Sequence, residues 1–441
     1  MTKDLTRGKP FSSLLSFSLP VIGGNLFQLF YTLADSIIVG RTLGANALAA
    51  GGNTTTIVLL VLYFIQGFAS GFGICLGHRC GAKDDRGMRR SIAVSTVLCI
   101  FFAIVITLAC CLLAHPMLRW MSTPESIFDM AYDYMFVVLL GSGATIFYNM
   151  ISNILRALGD SRTPLIFLIF SSIMNIVLDV VFIVPLHGGV AGAAWATVLS
   201  QLVSAILCTI TGMHHFSVMR LKKEDFSSLL PEAKEHLSIG FPMGFQMSVM
   251  SIGQLAMQAA VNALGAQAIA GYTAATKVDQ VSVLINGAMG IAVSNFVAQN
   301  YGAGLYDRIR QGVRASLIQT QTLNVLMCAM ILLCRNLVVP LFVDAPTPEI
   351  IGYSNGYLLV VAPFYLVLGF LQIYRSSIQS MGNGKAPFAA CIIELIMRIT
   401  GTFGLSMVLG YAGICFATPL AWIGAVALLV PTYYRMMRQM G

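Results

Sequence analysis

The sequence predicts an all-α integral membrane protein. Twelve transmembrane helices are expected in two six-helix lobes, related by a pseudo-two-fold axis along the membrane normal. Three observations predict this: the composition, the placement of the basic residues, and an internal repeat. Of 441 residues, 57% are hydrophobic and 10% charged, against about 25% charged in soluble domains. Such a chain has too little polar surface to coat a globule, so its main solvent is lipid.

A span needs roughly 20 apolar residues. Twelve runs qualify: 14–39, 53–76, 91–114, 131–154, 165–185 and 190–213 in the first half, then 237–262, 275–299, 313–334, 355–379, 387–409 and 412–434. The six runs of each half form one expected lobe, 1–213 and 237–441, and the basic stretch 214–236 is a linker between them. The first run is too long for the apolar core of a cleaved leader and is expected to be retained.

The charges fix an orientation. With the N-terminus inside, 21 of the 26 Lys and Arg fall on the inner side, Arg375 among them, and 4 fall outside (Arg41, Arg119, Lys277, Arg335). Arg398 lies within a span. The positive-inside rule then puts both termini in the cytoplasm, and an even number of spans is needed to keep the alternation. Topology accounts for the net charge of +8, so nucleic acid is not an expected partner. The ten cysteines have no metal or redox spacing and read as reduced packing residues.

The two halves align. "LPVIGGNLFQLFYTLADSIIVGRTLGANALAA" (19–50) matches "FPMGFQMSVMSIGQLAMQAAVNALGAQAIAG" (241–271), with Pro20 opposite Pro242 and Leu43-Gly44-Ala45 opposite Leu264-Gly265-Ala266. Gly81-Ala82 matches Gly302-Ala303. "NILRALGDSRTP" (153–164) matches "SSIQSMGNGKAP" (376–387). Each copy holds an even number of spans, so both enter the membrane the same way, and such parallel repeats are a transporter signature. Pro20 and Pro242 fall inside the first span of each copy, where proline removes a backbone donor and kinks the helix. Both are candidate gating kinks.

Polar residues inside spans need a reason, since an Asp at a helix centre costs about 2.5–3.5 kcal/mol on insertion scales. Asp35 in span 1, Asn175 and Asp179 in span 5, and Thr197 in span 6 stand out. Asn175 and Asp179 share a helix face. With a rise of about 1.5 Å per residue, all four lie in the outer half of the bilayer at nearly one level. Two acids, an amide and a hydroxyl form an all-oxygen set that shares a proton or holds a cation. The set is therefore a candidate for H⁺ or Na⁺ coupling; the alternative is that these groups only join helices by hydrogen bonds.

The second half lacks the set. Ala256 stands opposite Asp35, and Thr402 opposite Asp179. It has instead Glu394 and Arg398, four residues apart in span 11 and expected to neutralise each other. Gln28, Tyr31, Asn149, Asn153, Gln254 and Gln258 are candidates for lining a substrate cavity.

These motifs resemble the multidrug and toxic compound extrusion (MATE) family. The likeness rests on "P…N-L-F-Q…D-S-I-I-V-G" (20–40), the paired Gly-Ala loops, "R-A-L-G-D-S-R-T-P" (156–164), and "M-N-I-V-L-D" (174–179) followed by "G-V-A-G-A-A-W-A-T" (189–197). The resemblance implies an antiporter in the plasma (inner) membrane that exports organic, often cationic compounds against inward H⁺ or Na⁺ flow. It implies a V-shaped pair of lobes with alternating access, no enzymatic activity and no cofactor beyond the coupling ion. It also implies a cation site in the first lobe, which maps by motif onto Asp35, Asn175, Asp179 and Thr197. Some branches have a further site with acids on helices 7 and 10; 237–262 and 355–379 lack one, so coupling through the second lobe is not expected.

The expected partners are small organic substrates and membrane lipid, with the chain acting as a monomer. A flippase for lipid-linked sugars is the rival within transport, but it would favour a cleft rich in Arg. An intramembrane aspartyl protease needs one acid after Gly-x-Gly, and "Leu-Ala-Asp" and "Val-Leu-Asp" do not supply it.

Overall fold

The computed structural model describes residues 4–43, 45–120, 123–227, 229–341 and 347–440. Within these, the side chains of 31, 33–37, 40, 41, 45–53, 55–57 and 341 fall outside the description. The described residues form helices and turns without a strand. The α-helices are α1 (Pro10–Leu43), α2 (Ala45–Gly81), α3 (Asp85–Trp120), α4 (Glu125–Leu140), α5 (Ser142–Ala157), α6 (Arg162–Ile183), α7 (Gly189–His215), α8 (Leu229–Asn262), α9 (Ala266–Gly302), α10 (Tyr306–Val338), α11 (Pro348–Val361), α12 (Tyr365–Ser380), α13 (Lys385–Leu409) and α14 (Tyr411–Gln439).

These helices follow the twelve expected spans once two pairs are joined. α4 and α5 meet at a 41° bend at Gly141, where an added Cβ would strike Val198 of α7. α11 and α12 are parted by one short turn, Ala362–Phe364, which contains Pro363. Among the described residues, ten helices or joined pairs are long and apolar enough to cross a membrane, and α4 with α5 makes an eleventh. α8 is long enough at 34 residues, but Gln246, Gln254 and Gln258, with several Gly and Ser, keep its apolar stretch from qualifying by composition.

Burial agrees with lipid as the solvent. Ile100, Ile104, Leu108 and Leu112 of α3 recur every four residues and are all exposed. α6 has its polar side chains inside: Ser171, Ser172, Asn175 and Asp179 are buried, whereas Ile166, Phe170, Ile173 and Val177 are exposed. A helix in water would bury the opposite stripe.

The repeat is visible in the backbone. Gly159 and Gly382 occupy aligned turns with φ of 90° and 86°, conformations only glycine adopts freely. At each turn the next residue closes the preceding helix: Asp160 N–H donates to Leu155 C=O at 2.8 Å and Asn383 N–H to Ile378 C=O at 3.2 Å. The same two side chains start the following helices. Asp160 Oδ1 accepts from the N–H groups of Arg162 and Thr163, both at 3.0 Å, and Oδ2 from the Thr163 hydroxyl at 2.6 Å. Asn383 Oδ1 accepts from the Ala386 N–H at 3.1 Å. The Asp160→Ala variant is expected to lose about 1–2 kcal/mol, the usual range for a lost cap. A thermal melt in detergent checks this, with Asp160→Asn, which keeps one acceptor oxygen, falling less.

The chain divides into two compact units, Gly23–Met247 and Leu5–Ile22 with Ser248–Gly441. The lobe boundaries expected from the sequence lie in the 214–236 linker, but the changes of unit fall elsewhere, inside α1 and α8. In both helices the change comes within two turns after the internal proline, Pro20 in α1 and Pro242 in α8. The physical reason is packing. Leu14, Phe17 and Val21 of α1 are buried in the core built by α9–α14. Arg308 holds the segment ahead of α1 by donating to the carbonyls of Leu5, Arg7 and Gly8.

The first turns of α8 sit in the other unit. There Gly240 and Gly244 cross Gly67 and Gly71 of α2, and a Cβ at Gly71 would clash with the Gly240 backbone. Small residues spaced by four let two helix backbones approach closely. Arg79 pairs with Glu232 at 3.2 Å and Glu235 at 3.0 Å, and Ser91 bonds to the buried His236 at 2.9 Å. The linker therefore docks on the first unit through α2 and α3.

Candidate ion-coupling site

α6 and α7 are joined by a tight turn at 184–188. Gly188 N–H donates to Phe182 C=O at 2.8 Å, and Gly189 has φ of 56°. Gly192 lies against Phe182, where an added Cβ would come within 3.2 Å of the Phe182 Cβ. The glycines thus bring the two helices together, and residues at equal distances from the turn face each other. Asn175 and Thr197 each lie about two turns from their helix end.

Three of the four expected site residues meet there. Asn175 is 1% exposed and Asp179 0%, and Thr197 is half-buried. The donors and acceptors match when the Asn175 amide nitrogen faces Asp179. It then donates to Oδ2 at 3.0 Å, while the amide oxygen accepts from the Thr197 hydroxyl at 3.2 Å and the Thr197 N–H at 3.1 Å. The amide links an acid to a hydroxyl and leaves the other carboxylate oxygen to face additional groups.

Asp35 lies on α1, and its side chain is outside the described residues, as is that of Tyr31. The helix register still places its backbone. Gly24 of α1 packs on Leu168 of α6, where an added Cβ would come within 3.4 Å. Both helices cross in the same direction, so Asp35 is about 16 Å beyond Gly24 and Asp179 about 16 Å beyond Leu168. The two acids therefore share one level.

The described cavity candidates make local bonds or are exposed. Asn149 donates to Thr145 C=O and Asn153 to Asn149 C=O, each at 2.9 Å, so both turn back on α5. Gln258 donates to Asn262 within α8 at 2.8 Å. Gln28 and Gln254 are exposed.

The expected Glu394–Arg398 pair is corrected. Glu394 pairs with Arg375 of α12, which is 3% exposed and lies within the helix rather than in an inner loop. Both Arg398 and Arg375 are buried, but only Arg375 makes a salt bridge with Glu394. Spacing on one helix made Arg398 the expected partner, yet a neighbouring helix supplied a better one. The aligned Thr402 is fully buried.

One functional candidate was missed. Asp279 lies inside the eighth expected span and is 9% exposed. Its Oδ1 accepts from the Tyr365 hydroxyl at 2.8 Å and its Oδ2 from the Tyr357 hydroxyl at 3.2 Å. The signal was available: an acid within an apolar run, as at Asp35. Both tyrosine partners lie in the tenth expected span, 355–379, which has no acid of its own.

The MatE family profile matches the chain twice, over residues 20–181 and 242–404, each match beginning at one of the two aligned prolines. The chain belongs to the MatE family. This MatE chain is 32% identical to the "Probable multidrug resistance protein YpnP" of Bacillus subtilis (strain 168), over 93% of its own length and 92% of the relative's. It is 26% identical to the "Probable multidrug resistance protein NorM" of Thermotoga maritima, over 95% and 89%. Its fold is that of a structure described as the outward-facing conformation of a multidrug resistance MATE family transporter, with TM-score 0.92, 23% identity, and coverage of 100% of this chain and 99% of the other. The MatE chain is thus a multi-span membrane protein with a transporter fold.

Proposed function

We propose that this MatE chain is a cation-coupled antiporter that exports organic, cationic or amphipathic compounds by alternating access. The observation that carries the reading is the Asn175–Asp179–Thr197 cluster, buried in a helix pair whose other face is made for lipid. The names of its relatives, both multidrug resistance proteins, support the cargo class. The asymmetry of Lys and Arg supports a plasma-membrane protein with both termini cytoplasmic. The flippase alternative is not favoured: the relatives named above are described as multidrug resistance proteins, and buried Arg375 is neutralised by Glu394.

In the mechanism, one cation arriving from outside is shared by Asp179 and Asp35, which lowers the negative charge of the pair by one. H⁺ and Na⁺ both suit an all-oxygen set. Neutralisation changes how the outer half of α1 packs on α6. Because α1 changes units just after Pro20, that change reaches the second unit through one helix. A ligand shifts such an equilibrium only by its differential affinity for the two states, so the acids must be better hydrated in one of them. The loaded protein turns inward, gives up the cation and loads substrate. No ligand-independent catalytic step is required, and the chain acts as a monomer on small organic substrates.

Proteoliposomes with Na⁺ and H⁺ gradients imposed separately test this. One gradient is expected to drive accumulation of an organic cation such as ethidium. Equal transport with both gradients collapsed would contradict it.

A further inference from the structure

Asp279 has no part in the coupling scheme above, yet it is an acid in the membrane. It lies about 20 Å along α9 from Ala266, in a 37-residue helix apolar enough to span. An ionisable residue inside a span is a candidate functional site by default. We propose that Asp279 is a second proton-loading site, built within the second unit from the carboxyl group, the Tyr357 and Tyr365 hydroxyls, and Ser282. In its use for transport it rests on the antiport reading; in its proton uptake it does not.

The shell is closed around one carboxylate. Each oxygen accepts one phenol, at 2.8 Å from Tyr365 and 3.2 Å from Tyr357, and both tyrosines are buried. Ser282, one turn on along α9, is 0% exposed. It stands beside Tyr365. The other titratable groups facing the cluster are Tyr272 of α9, Cys328 of α10, Arg398 of α13 and Cys415 of α14.

A proton suits this shell better than a metal cation. Na⁺ would have to displace both phenol donors and find several oxygen ligands at short range. A hydronium ion gives its proton to Oδ2, the oxygen with the longer contact, as its own O–H bond breaks and water leaves. Tyr357 then accepts where it had donated, and no heavy atom has to move. The carboxylate becomes a carboxyl group, with no other bond made or broken.

Charge gives the site a consequence. The buried charges of this unit include Asp279 and Glu394 against Arg375 and Arg398. Glu394 and Arg375 are directly paired. Asp279 therefore balances Arg398 at a distance, without a salt bridge between them. Protonating Asp279 leaves Arg398 as an uncompensated buried cation, which is costly. The protonated unit then favours any state in which Arg398 is better hydrated.

The test is an infrared difference spectrum, acid minus alkaline, of the full-length protein in lipid nanodiscs. Wild type is expected to show a protonated-carboxyl band that Asp279→Asn lacks and that Asp35→Asn and Asp179→Asn keep. Tyr365→Phe is a smaller change that leaves the ring in place. It is expected to keep the band and raise its midpoint by about one to two pH units, the equivalent of one hydrogen bond to a charged group. A band unchanged in Asp279→Asn, or a midpoint unmoved in Tyr365→Phe, would overturn the proposal. Neither readout depends on transport, so failure of gradient-driven export in proteoliposomes would count against the antiport reading alone.

Discussion

Asp179→Asn is expected to abolish ion-driven export while leaving the protein folded. The substitution is nearly isosteric. The Asn175 amide can still find an acceptor at position 179, so the α6–α7 pair should keep its hydrogen bonds. What disappears is the charge that a cation must neutralise. The variant resembles the loaded state permanently, and the ion gradient no longer biases its direction. Coupling free energies of about 1–3 kcal/mol correspond to roughly 5–150-fold, and a loss in that range is expected in gradient-driven accumulation. Proteoliposome uptake at a fixed gradient measures it, and a thermal melt close to wild type separates lost coupling from lost folding.

Arg375→Ala is expected to have the largest effect on stability. It leaves Glu394 as a buried anion without its partner on α12. Breaking a buried ion pair by removing one member costs about 3–5 kcal/mol. Replacing both members with apolar or neutral groups of similar volume is often harmless, because two desolvation costs vanish together. The double variant Arg375→Met with Glu394→Gln is therefore expected to recover most of the loss. Melting temperatures of the two single variants and the double variant in detergent form the cycle that decides it. If the double variant is no more stable than Arg375→Ala, the pair is not what holds α12 to α13.

Much of the fold was legible in the sequence because lipid imposes simple constraints. Spans must be long and apolar, and the repeat doubles each signal. The aligned turns at Gly159 and Gly382, with the capping side chains Asp160 and Asn383, could be read because a left-handed turn and a helix start demand particular residues. In the site, Asn175, Asp179 and Thr197 could be placed together from depth alone, since helix rise turns sequence distance into height.

Other features were less accessible. Helix rise gives no information about which neighbour a side chain faces, so Glu394 was matched to Arg398 on its own helix rather than to Arg375 across a helix interface. Asp279 went unnoticed because its tyrosine partners come from α11 and α12, far along the chain. The change of units inside α1 and α8 depends on which core buries Leu14, Phe17 and Val21. Apolarity shows that such residues are buried but not where.

The most direct test of the central claim counts the ions released when substrate binds. Purified protein in weakly buffered solution is titrated with an organic cation while released H⁺ or Na⁺ is measured per molecule bound. If the Asn175–Asp179–Thr197 cluster holds the coupling ion, Asp179→Asn releases one ion fewer than wild type. The same number from both proteins would place the coupling ion elsewhere and contradict the account.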